Sequence, residues 1–137
     1  MKPHTTNYFN TLITVAEDCK AERGTIPPEK DRLTIANYQF NLLAKQPFQY
    51  TSDEILFTVF RMRNDIPASE TATEKRKFFS KGQPCLRTSP LAKNYGWGIY
   101  FNEEGKIKLM DSASDEYQEL LKDENIKKVP AMRSKRT

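Results

Sequence analysis

Polar and apolar positions alternate over residues 7–15. Phe9, Thr11, Ile13 and Val15 fall on one side, with Tyr8, Asn10, Leu12 and Thr14 on the other. A period of two in an aromatic and β-branched composition predicts a strand with one buried face. Gly24 and Pro27-Pro28 break the pattern beyond it, so residues 17–28 read as a loop. The period then changes. Leu33, Ala36, Phe40 and Leu43 recur at helical spacing, and Ile35, Tyr38 and Leu42 widen the stripe. This predicts a well-covered helix over 31–45, ended by Pro47.

Thr51-Ser52-Asp53-Glu54 has the Thr-x-x-Glu spacing of a capping box, and its acids suit the positive end of a helix dipole. Ile55, Leu56, Val59 and Phe60 supply the buried stripe of the helix it opens. After a loop at 64–69 with Pro67, Thr71-Ala72-Thr73-Glu74 offers a second capping box for a helix to about Ser80. Residues 95–102 and 106–110 predict a hairpin around Glu103-Glu104-Gly105, with Trp97, Ile99 and Phe101 facing Ile107 and Leu109. Ser114 caps a last helix over 115–123 that carries Tyr117, Leu120 and Leu121. The expected class is α+β: a small antiparallel sheet with the 95–110 hairpin, covered by three or four helices. One domain over 1–126 and a basic, disordered tail over 127–137 complete the expected organisation.

Charge refines this picture. The net charge is +4, but residues 102–125 carry three basic and eight acidic side chains, and residues 126–137 carry five basic and none acidic. The basic excess is therefore a property of the tail, and a folded basic face for nucleic acid is not required. With 137 residues the chain needs neither disulfide nor metal to build a core. No apolar run approaches the roughly 20 residues that span a bilayer, and residues 1–7 hold no apolar stretch of signal-peptide type. Cys19 and Cys85 fit reduced thiols, so the expected location is the cytoplasm, with no membrane partner.

Residues 81–98 concentrate the unusual chemistry: three of the five glycines, two of the eight prolines, one cysteine and the only tryptophan. If Trp97, Ile99 and Phe101 point inward, Gly96, Gly98 and Tyr100 point the other way. The two glycines then leave a shelf free of side chains, suited to a ligand or to the protein's own backbone. Upstream, Lys81, Gly82, Cys85 and Arg87 combine cations with a flexible loop whose N–H groups suit an anion. The ligand-binding candidates are thus Lys81, Gly82, Cys85, Arg87, Tyr95, Gly96, Gly98 and Tyr100. The expected function is a non-enzymatic binding module for a small anionic ligand or a partner segment.

Two other classes stay open. Cys85, flanked by cations, suits a thiol-dependent enzyme or redox sensor. The tail, with its five cations, suits sequence-blind contact with nucleic acid. His4 is the only histidine, so no Cys₂His₂ zinc site can form; no metal, cofactor or catalytic residue is expected. Asp53 and Glu54 are explained by capping.

The blocks Thr6-Asn7-Tyr8-Phe9, Tyr50-Thr51-Ser52-Asp53-Glu54, Phe78-Phe79-Ser80-Lys81-Gly82-Gln83-Pro84-Cys85-Leu86-Arg87 and Tyr95-Gly96-Trp97-Gly98 carry a resemblance. With shorter ones, including Ser89-Pro90-Leu91-Ala92-Lys93 and Ser114-Asp115-Glu116-Tyr117, they span almost the whole chain. The chain resembles a family of small bacterial proteins catalogued as a domain of unknown function. The resemblance implies a bacterial, cytoplasmic protein and assigns no activity, cofactor or catalytic residue.

Overall fold

The computed structural model describes residues 5–133. Four strands form one mixed sheet in the order β3-β2-β1-β4. They are β1 (Thr11–Thr14), β2 (Trp97–Phe101), β3 (Ile107–Asp111) and β4 (Lys127–Pro130). Antiparallel pairing aligns Ile13 with Ile99 and Ile99 with Leu109, while β4 runs parallel to β1 and sets Val129 beside Ile13. Five α-helices accompany the sheet: α1 (Ile35–Lys45), α2 (Ser52–Arg63), α3 (Thr71–Phe79), α4 (Pro90–Asn94) and α5 (Asp115–Lys122). The expected α+β class holds, and the 95–110 hairpin is β2–β3.

Both faces of the sheet are covered. Ile13, Ile99, Phe101, Ile107 and Leu109 pack with residues of α1, α2 and α4 in the larger core. Leu12 and Met110 point to the opposite face, where Tyr117 of α5 and Ile126 close a smaller one. This corrects the expectation of one buried face: Thr11, Leu12 and Ile13 are all buried. The strand is also shorter than 7–15, because Asn10 takes a left-handed φ of 48° and turns the chain just before it.

Local signals account for most helix starts. Thr51 accepts from Glu54 N–H while Glu54 accepts from Thr51 N–H, so the predicted capping box forms. An unpredicted one opens α1, where Thr34 and Asn37 exchange the same pair of bonds. The helix therefore starts at Ile35 and not at Asp31, and Leu33 and Ile35 are left about 40% exposed. At α3 the expected box is absent. A 3-10 turn over Ala68–Glu70 runs straight into the helix, Thr71 is already helical, and its hydroxyl donates to Pro67 O.

The largest correction concerns the tail. Residues 127–130 form β4, so the fold does not stop at 126. Lys127 N–H donates to Asn10 O and Ala131 N–H to Thr14 O, both at 2.9 Å. Ile126 and Ala131 are buried at either end of the strand. The positive charge of this segment sits on side chains and leaves the backbone free to pair, which a charge count does not register. Residues 134–137, the end of the expected tail, lie outside the described residues.

Candidate functional site

The glycine shelf exists and the chain fills it. Gly98 lies under the Tyr117 ring, and an added Cβ would come within 2.5 Å of Tyr117 Cε2. Gly96, at φ +76°, lies against the backbone carbonyl of Arg23. Trp97, on the other side of the strand, packs on Phe40 at 5.5 Å and over Gly24, and its Nε1–H donates to Thr25 O. Thr25 N–H donates to Tyr95 O, and Gly24 N–H to Asp111 Oδ1, both at 2.8 Å. The Gly96-Trp97-Gly98 block thus holds the 17–28 loop and α5 against the sheet. The two N–H donors of Gly24 and Ala113 keep the Asp111 carboxyl below its ordinary value.

The eight expected ligand residues are not brought together. Arg87 Nε donates to Pro130 O at 2.7 Å, and Arg87 O accepts from Met132 N–H, so this residue anchors the chain beyond β4. Lys81 is exposed, and Gly82 faces open space. Tyr100 lies on the α5 side of the sheet, edge-on to Phe48. Cys85 is partly buried, and the Tyr8 hydroxyl donates to its Sγ at 3.4 Å. Burial, then the bond to Cys85, pushes the Tyr8 hydroxyl up to about 12. Both cysteines are free. His4 lies outside the described residues, and among those described no three His, Cys, Asp or Glu side chains are grouped to hold a metal ion.

What the 83–90 loop does build is a cavity of about 270 Å³ against α1 and α2. Its walls are mainly apolar: Leu56, Val59 and Phe60 from α2, Phe78 from α3, and Pro84 and Leu86 from the loop. Phe78 packs tilted against Phe60 at 4.9 Å and edge-on to Phe57 at 5.6 Å, so that wall is a cluster of aromatic rings. The polar groups are few. Gln39 and Ser89, each 3% exposed, form a buried bond in which Ser89 Oγ donates to Gln39 Oε1 at 2.6 Å. Gln83 Nε2 donates to Phe78 O and holds the loop to the end of α3.

Arg63, the last residue of α2, lines this cavity and also a wider, open cleft of about 970 Å³ beyond it. Ile35 and Pro90 share that position, so the two spaces meet there. Arg63 is exposed and makes no ion pair among the described residues. Arg32 and Asp31 stand along the cleft. Of the charged side chains that line the two spaces, Arg32 and Arg63 are basic and Asp31 is acidic.

Sequence reasoning found one wall of this cavity, the 83–90 loop, and missed the others. Leu56, Val59, Phe60 and Arg63 recur at helical spacing, a stripe that ends in a cation. Ile35 and Gln39 recur in the same way on α1. Those spacings were legible; that the two stripes face each other across a loop was not. The Thr5-Thr6-Asn7 arm was missed as well. It docks on the start of α2, where Asp53 Oδ1 accepts from Thr6 N–H at 2.7 Å and Thr6 Oγ1 meets Ser52 Oγ at 2.8 Å. Asp53 is thus a tether for the N-terminal arm, and Glu54 does the capping.

These features define a small α+β protein with one mixed sheet and a mainly apolar cavity between α1, α2 and the 83–90 loop. The family model for a family of unknown function, DUF6157, matches residues 3–137, and the chain belongs to that family. No curated protein and no solved structure matches the chain. Among the described residues, no helix is long and apolar enough to cross a membrane.

Proposed function

We propose that this protein is a non-enzymatic module that binds a small carboxylate with an apolar body. The body fills the cavity between α1, α2 and the 83–90 loop, and the carboxylate rests on Arg63. One observation carries this reading: a guanidinium with no ion pair among the described residues stands where a mostly apolar cavity opens to solvent. Arginine suits that task because its planar fork meets both oxygens of a carboxylate. At about 270 Å³ the cavity falls just below the usual range for ligand sites, which favours a small metabolite over a nucleotide or a partner segment. The cation is Arg63, in place of the Arg87 and Lys81 suggested by sequence. The two free thiols support a reducing compartment, and we take the protein to act in a bacterial cytoplasm.

The test is a titration followed by backbone amide resonances, with pentanoate and its neutral analogue pentanamide as probes. Pentanoate should shift resonances of Leu56, Phe60, Gln83 and Ser89, and pentanamide should bind several-fold more weakly. Arg63→Ala should abolish that difference while leaving the melting temperature within about 1 °C, since the residue is exposed and makes no ion pair among the described residues. Equal binding of acid and amide, or shifts confined to the face of α5, would refute the proposal.

A further inference from the structure

Gln39, which lines the cavity, has a donor that makes no hydrogen bond among the described residues. Ser89 caps α4, and its Oγ accepts from Leu91 N–H at 3.2 Å. Its own proton is then free to go to Gln39, and the 2.6 Å contact sets the carboxamide oxygen on the Ser89 side. The Gln39 amide nitrogen is left on the other side, with no hydrogen bond to the described residues. Yet no buried side-chain nitrogen or oxygen among the described residues lacks a partner. The nitrogen must therefore keep some accessible surface, although Gln39 as a whole is only 3% exposed. Gln39 lines the cavity.

We infer that the ligand carries a hydrogen-bond acceptor, a carbonyl oxygen above all, at the end of its apolar body remote from the carboxylate. The inference rests on the proposed carboxylate site and adds to it what the buried end recognises. Two polar points then fix the ligand: the Arg63 guanidinium at the mouth and Gln39 Nε2–H₂ inside. Between them Leu56, Phe60 and Phe78 supply apolar contact. A donor that meets no acceptor loses a water when an apolar group enters and gains nothing in return. A saturated chain should therefore bind less well than the same chain with an oxo group. The ligand class is an oxo-carboxylic or acyl-carboxylic acid of small size.

The experiment compares levulinate with pentanoate, which have the same number of carbons and differ by the inner carbonyl. In the wild-type protein levulinate should bind about tenfold more tightly, the worth of one buried hydrogen bond. The side-chain amide protons of Gln39 should move downfield with levulinate and not with pentanoate. Gln39→Leu should erase the preference. Gln39→Glu keeps an acceptor for Ser89 and removes the donor, so it should disfavour levulinate. Should either variant fail to fold, the wild-type affinities and the Gln39 resonance still decide. Equal affinity for the two acids, with Gln39 unmoved, overturns this inference and leaves the carboxylate site standing. Failure of both acids to bind overturns both.

Discussion

The Tyr117 ring occupies the space that a side chain at residue 98 would take, and its hydroxyl accepts from Val15 N–H at 3.2 Å. One residue of α5 therefore seals the back of β2 and satisfies the backbone at the end of β1. Replacing Gly98 by Ala should force the ring aside and destabilise the fold by about 1–3 kcal/mol in urea unfolding. Gly82→Ala is the control: its Cβ would meet nothing within 4 Å, and the change should stay under about 0.5 kcal/mol. Similar midpoints for the two variants would mean that Tyr117 yields without cost.

Ser89 serves two partners at once, as the cap of α4 and as the donor to Gln39. Ser89→Ala removes the cap and strands a buried acceptor. The expected loss is about 2–4 kcal/mol, the sum of a lost cap and an unsatisfied carboxamide. Thermal unfolding measures it, and a shift of under a degree would show that water replaces the hydroxyl.

Arg87 anchors the chain beyond β4 and lies outside the cavity. Arg87→Ala should lower stability by about 1 kcal/mol through the lost bond to Pro130 O. Pentanoate affinity should not change. A variant that melts normally but loses pentanoate would restore Arg87 to the binding site.

The two perturbed tyrosines set an alkaline limit. Burial raises the hydroxyl of Tyr117, and burial with the Cys85 contact raises that of Tyr8 from 10.0 to about 12. Each folded hydroxyl holds its proton more tightly than in the unfolded chain. Their contribution to stability is complete below pH 10.0 and is lost above it, for Tyr8 as pH rises toward about 12. Phenolate absorbance should show late-titrating tyrosines in the folded protein, and Tyr8→Phe should remove one late step. Titration of every tyrosine near its ordinary value, without unfolding, would contradict the packing of both rings.

A chain ended at Ile126 loses the parallel partner of β1 and the buried Ala131. It should lose cooperative unfolding, as read by circular dichroism and amide dispersion. A sharp, native-like transition in that truncated chain would return residues 127–133 to the role of a tail.

The periodicities of this chain were sufficient for its class and for most of its elements. The alternation of Trp97, Ile99 and Phe101 placed β2 and its two faces correctly, because side-chain direction in a strand is a local property. The Thr51–Glu54 box and the Ser114 cap located α2 and α5 because capping is satisfied within one helical turn. What lies opposite a residue is not local. The alternation allowed β1 one buried side until α5 covered Leu12 and the larger core covered Ile13, and Lys127-Lys128 read as tail until β1 supplied a partner. Gly96 and Gly98 announced a close approach. Only the tertiary fold decided that Arg23 and Tyr117 make it, and that the open space lies instead between Gln39, Phe60 and the 83–90 loop. Sequence spacing orders residues along one element, whereas a cavity is the gap left when several elements pack, and its position depends on contacts between residues far apart in the chain.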